Sequence, residues 1–89
     1  MVTSGQIRAA RALLRIDQTE LAQLAGVSVE TIKRVEGSPW EVSMLSSTEQ
    51  SIRLAFANLG IEFIDENVRG YGVRFLMPGR PDRFEPAAD

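Results

Sequence analysis

Eighty-nine residues, 44% of them hydrophobic and 25% charged, fit one small domain near the lower limit of what folds without a covalent or metal staple. The absence of cysteine excludes disulfides and thiolate metal sites, and the absence of histidine removes the commonest general base and metal ligand, leaving a compact helical core, reinforced by dimerisation, as the source of stability. The formal net charge of −2 argues against a uniformly basic nucleic-acid binder; no apolar run nears the ~20 residues of a membrane span, and the N-terminus lacks the basic-then-apolar layout of a signal peptide, so a cytoplasmic protein is expected.

In chain order, Ile7, Ala10, Leu13 and Leu14 recur at helical spacing and predict a first helix from Ser4 to Arg15, with Arg8, Arg11 and Arg15 falling beside them at three- and four-residue steps. Asp17 and Glu20 form a D-x-x-E start signal for a second helix, whose apolar stripe is Leu21, Ala22, Leu24 and Ala25 and whose stop is Gly26. Ser28 is placed to cap a third helix with Ile32 and Val35 inward, Val29 at its edge, and Glu30, Thr31, Lys33 and Arg34 outside, ending at Gly37, Ser38 and Pro39. Two short helices joined by so tight a turn are the helix-turn-helix layout.

After a loop containing Pro39 and Trp40, Ser46 to Gln50 offers overlapping capping-box signals for a fourth helix that ends at Leu59-Gly60, with Ile52, Ala55, Phe56 and Leu59 inward. Beyond Gly60 the period changes. Ile61 to Ile64 and Val73 to Leu76 are short β-branched and aromatic runs around the turn formers of residues 65–72, which predicts a β-hairpin. Two strands alone are marginal in water, so the hairpin must lie on the helices, pair with another chain, or both. From Pro78 onward three prolines and no periodicity predict a mobile tail.

The Q-x-x-L-A of Gln18 to Ala22, the A-G-V-S of Ala25 to Ser28 and the I-x-x-x-E-G of Ile32 to Gly37 stand together in one register. In that combination residues 4–60, and most closely 17–37, resemble the Cro/C1-type (XRE) helix-turn-helix family of phage and bacterial repressors. The resemblance implies a mainly α fold, a compact four-helix lambda-repressor-like helix-turn-helix domain (residues 1–60), to which the residue pattern adds the C-terminal β-hairpin (61–77, the candidate dimerisation element) and the mobile tail (78–89).

It also implies a ligand, double-stranded DNA read in the major groove. The matching positions early in the second helix of the motif are Ser28, Val29, Glu30, Thr31, Lys33 and Arg34. Lys33 and Arg34 suit guanine O6 and N7 or phosphate, Glu30 suits cytosine N4, Val29 a thymine methyl or the core edge, and Ser28 and Thr31 phosphate. Gln18 occupies the position where the family often bridges the DNA backbone and the recognition helix, and Thr19 adds a hydroxyl beside it. Taken singly, Lys33 and Arg34 fit a solvated helix surface as well as a contact, and their location within the motif tilts the reading toward contact. In the same repressors an arginine of the first helix often pairs with a glutamate ending the third, and Arg11 and Glu36 match, which implies a bidentate structural ion pair.

The charge distribution bears on this expectation. Through Trp40, Arg8, Arg11, Arg15, Lys33 and Arg34 stand against Asp17, Glu20, Glu30 and Glu36; the acidic excess lies further on. Affinity follows the phosphates neutralised at the contact face, so an acidic rear half weakens non-specific binding and favours a specific site. Trp40 serves as a lid over the core, a stacking contact at the DNA backbone, or part of a partner surface.

Neither a phosphate-binding glycine loop, a metal-ligand spacing nor a nucleophile–base set is present, so no enzyme activity, metal or cofactor is expected. The expected function is a DNA-binding transcriptional regulator, a repressor or autoregulator that engages a two-fold operator as a homodimer. Phe63, Val73 and Phe75 are its candidate dimer residues, because an uncovered apolar strand invites edge pairing. The rival is a protein-interaction module with the same fold, an antitoxin or antiactivator, favoured by the acidic rear half, the hairpin and the tail.

Overall fold

The computed structural model describes residues 2–39, 44–64 and 70–75. Four helices, α1 (Ser4–Leu14), α2 (Gln18–Ala25), α3 (Val29–Glu36) and α4 (Ser46–Asn58), precede two strands, β1 (Ile61–Ile64) and β2 (Gly72–Phe75). The architecture is mainly α, four helices closed by a C-terminal antiparallel hairpin, and resembles helix-turn-helix domains in general. Trp40, the hairpin turn at residues 65–69, the last expected strand residue Leu76 and the expected tail lie outside the described residues.

Local chemistry sets most of the helix ends. Thr3 caps α1: its hydroxyl accepts from the Gln6 backbone N–H at 3.1 Å, while Gln6 Oε1 accepts from the Thr3 N–H at 2.9 Å. Asp17 and Glu20 make the same reciprocal exchange at the start of α2, at 2.8 and 2.9 Å. Both α1 and α2 then end in one motif, a left-handed residue whose N–H and the next N–H turn back onto the last carbonyls. In α2 the left-handed residue is Gly26 (φ 71°), with Gly26 N bonded to the Gln23 carbonyl and Val27 N to that of Ala22. In α1 it is Arg15 (φ 58°), with Arg15 N on Ala12 and Ile16 N on Arg11.

The core gathers Val2, Ile7 and Ala10 with Leu21, Ala22, Ile32, Val35, Ile52, Ala55, Phe56 and Ile61. The hairpin lies on the helices. Its register pairs Ile61 with Phe75, Glu62 with Arg74, Phe63 with Val73 and Ile64 with Gly72. Side chains alternate across a strand, so Ile61, Phe63, Val73 and Phe75 share the face packed against the core. The Phe63 ring meets Phe56 edge-on, with centroids 5.5 Å apart, and the Arg53 guanidinium sits 5.6 Å from its centre. On the opposite face Arg74 Nε donates to Glu62 Oε1 at 2.8 Å.

Four expectations are corrected. Leu13 and Leu24 are exposed, at 41% and 51%. At about 100° per residue, Leu24 falls roughly 60° outside the arc between Leu21 and Ala22, and Leu13 lies at the margin of the buried face of α1, beyond Ala10 and Gln6. Leu59, expected inward, is 40% exposed: it follows the last residue of α4, where the backbone has left helical geometry on the way to Gly60 (φ 84°). The start of α4 has no side-chain cap. Leu45 holds the N-cap position, and the Glu49 carboxylate that a box from Ser46 would use accepts from Arg53 Nε at 3.0 Å.

Candidate nucleic-acid interface

α2 and α3 form a helix-turn-helix, joined by Gly26, Val27 and Ser28 and packed through Leu21, Ala22, Ile32 and Val35. The Ser28 hydroxyl accepts from the Thr31 backbone N–H at 3.1 Å and lies 2.9 Å from the Thr31 hydroxyl, so both oxygens fix the first turn of α3. Ile32, Val35 and Glu36 point inward. Ser28, Glu30, Lys33 and Arg34 are exposed, as is Thr19 in α2; Gln18 and Thr31 are half-buried, and Val29 packs against the core edge.

The far end of α3 is held from α1. Ser4, Arg8 and Arg11 stand at steps of four and three along α1 and so share one face. The Ser4 hydroxyl donates to the Ser38 carbonyl at 2.8 Å, and Arg8 Nη1 donates to the Glu36 carbonyl. The Glu36 carbonyl is a group that a helix C-terminus leaves without an intrahelical partner, and the cationic side chain also suits the negative end of the dipole.

Arg11 and Glu36 are joined twice, Nε to Oε2 at 2.7 Å and Nη2 to Oε1 at 2.8 Å. Arg11 Nη1 also donates to the Ile16 carbonyl at 3.1 Å, and Gln18 Nε2 donates to Glu36 Oε1 at 3.1 Å. The hydrogen bonds from Arg11 to Glu36 raise the Arg11 pKa above its ordinary value; partial burial opposes this, and the Glu36 and Asp17 charges add to it. One carboxylate, only 4% exposed, thereby ties α1, the start of α2 and the end of α3 into a rigid frame. Gln18, singled out as a bridge from DNA backbone to recognition helix, is drawn into this frame through its amide.

The sequence reading did not single out Ser4, Arg8 or Gln6 as contacts. The four-residue step from Ser4 to Arg8 was the available signal for the first two, and the T-x-x-Q of Thr3 to Gln6 for the third.

The cations divide sharply. Arg8, Arg11, Arg53 and Arg74 are each bound to an acceptor of the chain. The side chains of Arg15, Lys33 and Arg34 have no hydrogen bond or ion pair among the described residues, and all three belong to the helix-turn-helix or the residues leading into it. The face formed by α3 therefore offers Lys33 and Arg34 as free donors beside one acceptor, Glu30, on a helix whose position is fixed from behind. No protein-family profile and no curated protein sequence matches the chain.

Proposed function

We propose that this chain is a sequence-specific DNA-binding transcriptional regulator of the Cro/C1 type, a repressor or autoregulator rather than an enzyme. The observation that carries the reading is that Lys33 and Arg34 stand exposed and unpartnered on α3 while the other end of that helix is anchored by Ser4, Arg8 and Arg11. A helix already fixed in place, with free donors on its outer face, suits readout of base edges, because less ordering remains to be done on binding. In this reading two copies bind a two-fold operator with their recognition helices about 34 Å apart.

The test is titration of the purified protein against DNA from upstream of its own gene and against a scrambled duplex, over a series of salt concentrations. A preference of about a thousandfold or more, with a steep negative salt slope, supports the reading. Equal weak binding to both duplexes shifts it to a protein ligand. That second reading, an interaction module such as an antitoxin or antiactivator, is favoured by one observation: the acidic excess of the chain lies beyond Trp40, away from the helix-turn-helix.

A further inference from the structure

Arg15 occupies a backbone conformation that side chains avoid. It is the one residue other than glycine with positive φ among the described residues, and it does at the end of α1 what Gly26 does at the end of α2. A Cβ in this region crowds the neighbouring carbonyl, so glycine is the low-energy choice. The turn is nonetheless held firmly: Ile16, the next residue, donates its N–H to Arg11 O and accepts from Arg11 Nη1 at its carbonyl, and Arg11 is locked to Glu36. The surroundings thus enforce a strained backbone beneath a long cationic side chain.

No hydrogen bond or ion pair ties that side chain to the fold among the described residues, and it is exposed. The two nearest carboxylates downstream, Asp17 and Glu20, are occupied with each other's backbone N–H groups. Arg15 therefore joins Lys33 and Arg34 as a free cation, and it sits three residues before Gln18 and four before Thr19, which flank the proposed DNA face.

Resting on the DNA-binding reading, we infer that Arg15 is a phosphate-contacting residue of that interface, keeping a free guanidinium where local stability alone favours glycine. A phosphate contact adds affinity without sequence preference and adds to the salt dependence through counterion release.

The test compares wild-type protein with Arg15→Gly, Arg15→Gln and Arg15→Lys, measuring Tm and binding to a fluorescently labelled duplex of mixed sequence between low and moderate salt. Arg15→Gly is expected to raise Tm yet weaken binding severalfold, with the slope of log affinity against log salt smaller by about 0.9. Arg15→Gln is expected to show the same loss of slope without the gain in Tm, and Arg15→Lys to keep the wild-type slope. Wild-type affinity and slope in Arg15→Gly and Arg15→Gln, with the wild-type protein binding normally, overturn the assignment alone. A wild-type protein that shows no salt-dependent binding to duplex overturns both the assignment and the reading beneath it.

Discussion

The Gln6 carboxamide, in the first turn of α1, donates to the Gly72 carbonyl 66 positions further along the chain at 2.9 Å. The second hydrogen of the same nitrogen goes to the carbonyl of Ile64, the residue paired with Gly72 across the hairpin, also at 2.9 Å. The oxygen is committed to the Thr3 N–H. One buried amide therefore caps a helix and clamps both strands to it, a use that needs two donors and an acceptor in one planar group.

Replacing that amide separates the two roles. Gln6→Leu is expected to cost about 2 kcal/mol, because the two carbonyls and the Thr3 N–H lose a buried partner. Gln6→Glu should cost more, since it sets a carboxylate against two carbonyl oxygens. Urea unfolding gives the magnitudes. Hydrogen exchange gives the location: protection should fall first in β1 and β2 and last in α2 and α3. Uniform loss of protection would show that the hairpin has no stability separate from the helices.

The paired helix ends give a prediction of opposite signs. Gly26→Ala places a Cβ where no heavy atom beyond its chain neighbours lies within 4 Å, so its cost is purely conformational, about 1–2 kcal/mol. Arg15→Gly relieves the same strain and should stabilise by about 1 kcal/mol, reduced by the greater freedom of glycine in the unfolded chain. Thermal unfolding of both variants and of the double variant is the measurement. The two sites end different helices and share no hydrogen-bond partner, so the effects should nearly add.

The helices and their caps were legible in the sequence because their causes are local: the carboxylate of Asp17, the hydroxyl of Ser28 and the bare backbone of Gly26 act within three or four residues. The bidentate pair of Arg11 and Glu36 was legible only through resemblance, since nothing within either helix states that their ends meet. Gln6 was missed for a related reason. Its cap is local, but its second role depends on where the hairpin docks. Leu13 and Leu24 were misplaced because an apolar residue at three-residue spacing can sit at the edge of a narrow buried arc, and only the packing decides on which side of that edge it falls.

Removing either member of the Arg11–Glu36 pair should be costly, and the two costs should differ. Arg11→Met leaves a carboxylate that is 4% exposed with no cation and only the Gln18 amide bonded to it, whereas Glu36→Leu leaves a guanidinium that is 21% exposed and still bonded to Ile16. The first should cost about 3 kcal/mol or more and the second less, with the double variant recovering part of the loss. A double-variant cycle in urea measures the coupling; zero coupling would mean the pair contributes nothing. The raised Arg11 pKa adds no pH dependence near neutrality. A group raised in the folded state gives its full stabilisation below its unfolded value, which for a guanidinium lies far above neutrality, and loses it only as the pH climbs through the folded one.

Phe63, Val73 and Phe75 were candidates for a dimer contact, and all three lie on the face turned to the helices. Dimerisation through the hairpin would then use its edge backbone rather than these rings. Phe63→Ala should destabilise the single chain by about 3 kcal/mol through the lost contact with Phe56, even at concentrations where the protein is monomeric. Sedimentation and thermal melts over a range of concentrations separate the two effects. A Tm loss confined to concentrations where the wild type is dimeric would place Phe63 in the interface after all.

On α3, Lys33, Arg34 and Glu30 should leave different marks on DNA binding. A cation that reads a base edge loses about 1–3 kcal/mol of discrimination on substitution, while one that holds phosphate weakens binding to every sequence and lowers the salt slope by about one. Lys33→Ala and Arg34→Ala can therefore be sorted by comparing preferred and scrambled duplexes at each salt concentration. Glu30 has the opposite charge. If its carboxylate accepts from a cytosine amine, Glu30→Ala lowers the preference for the specific site. The same change removes an anion facing phosphate and so raises affinity for scrambled DNA. Tighter non-specific binding together with weaker preference is the signature of an acid that reads bases; tighter binding to both duplexes by the same factor would mark Glu30 as surface charge alone.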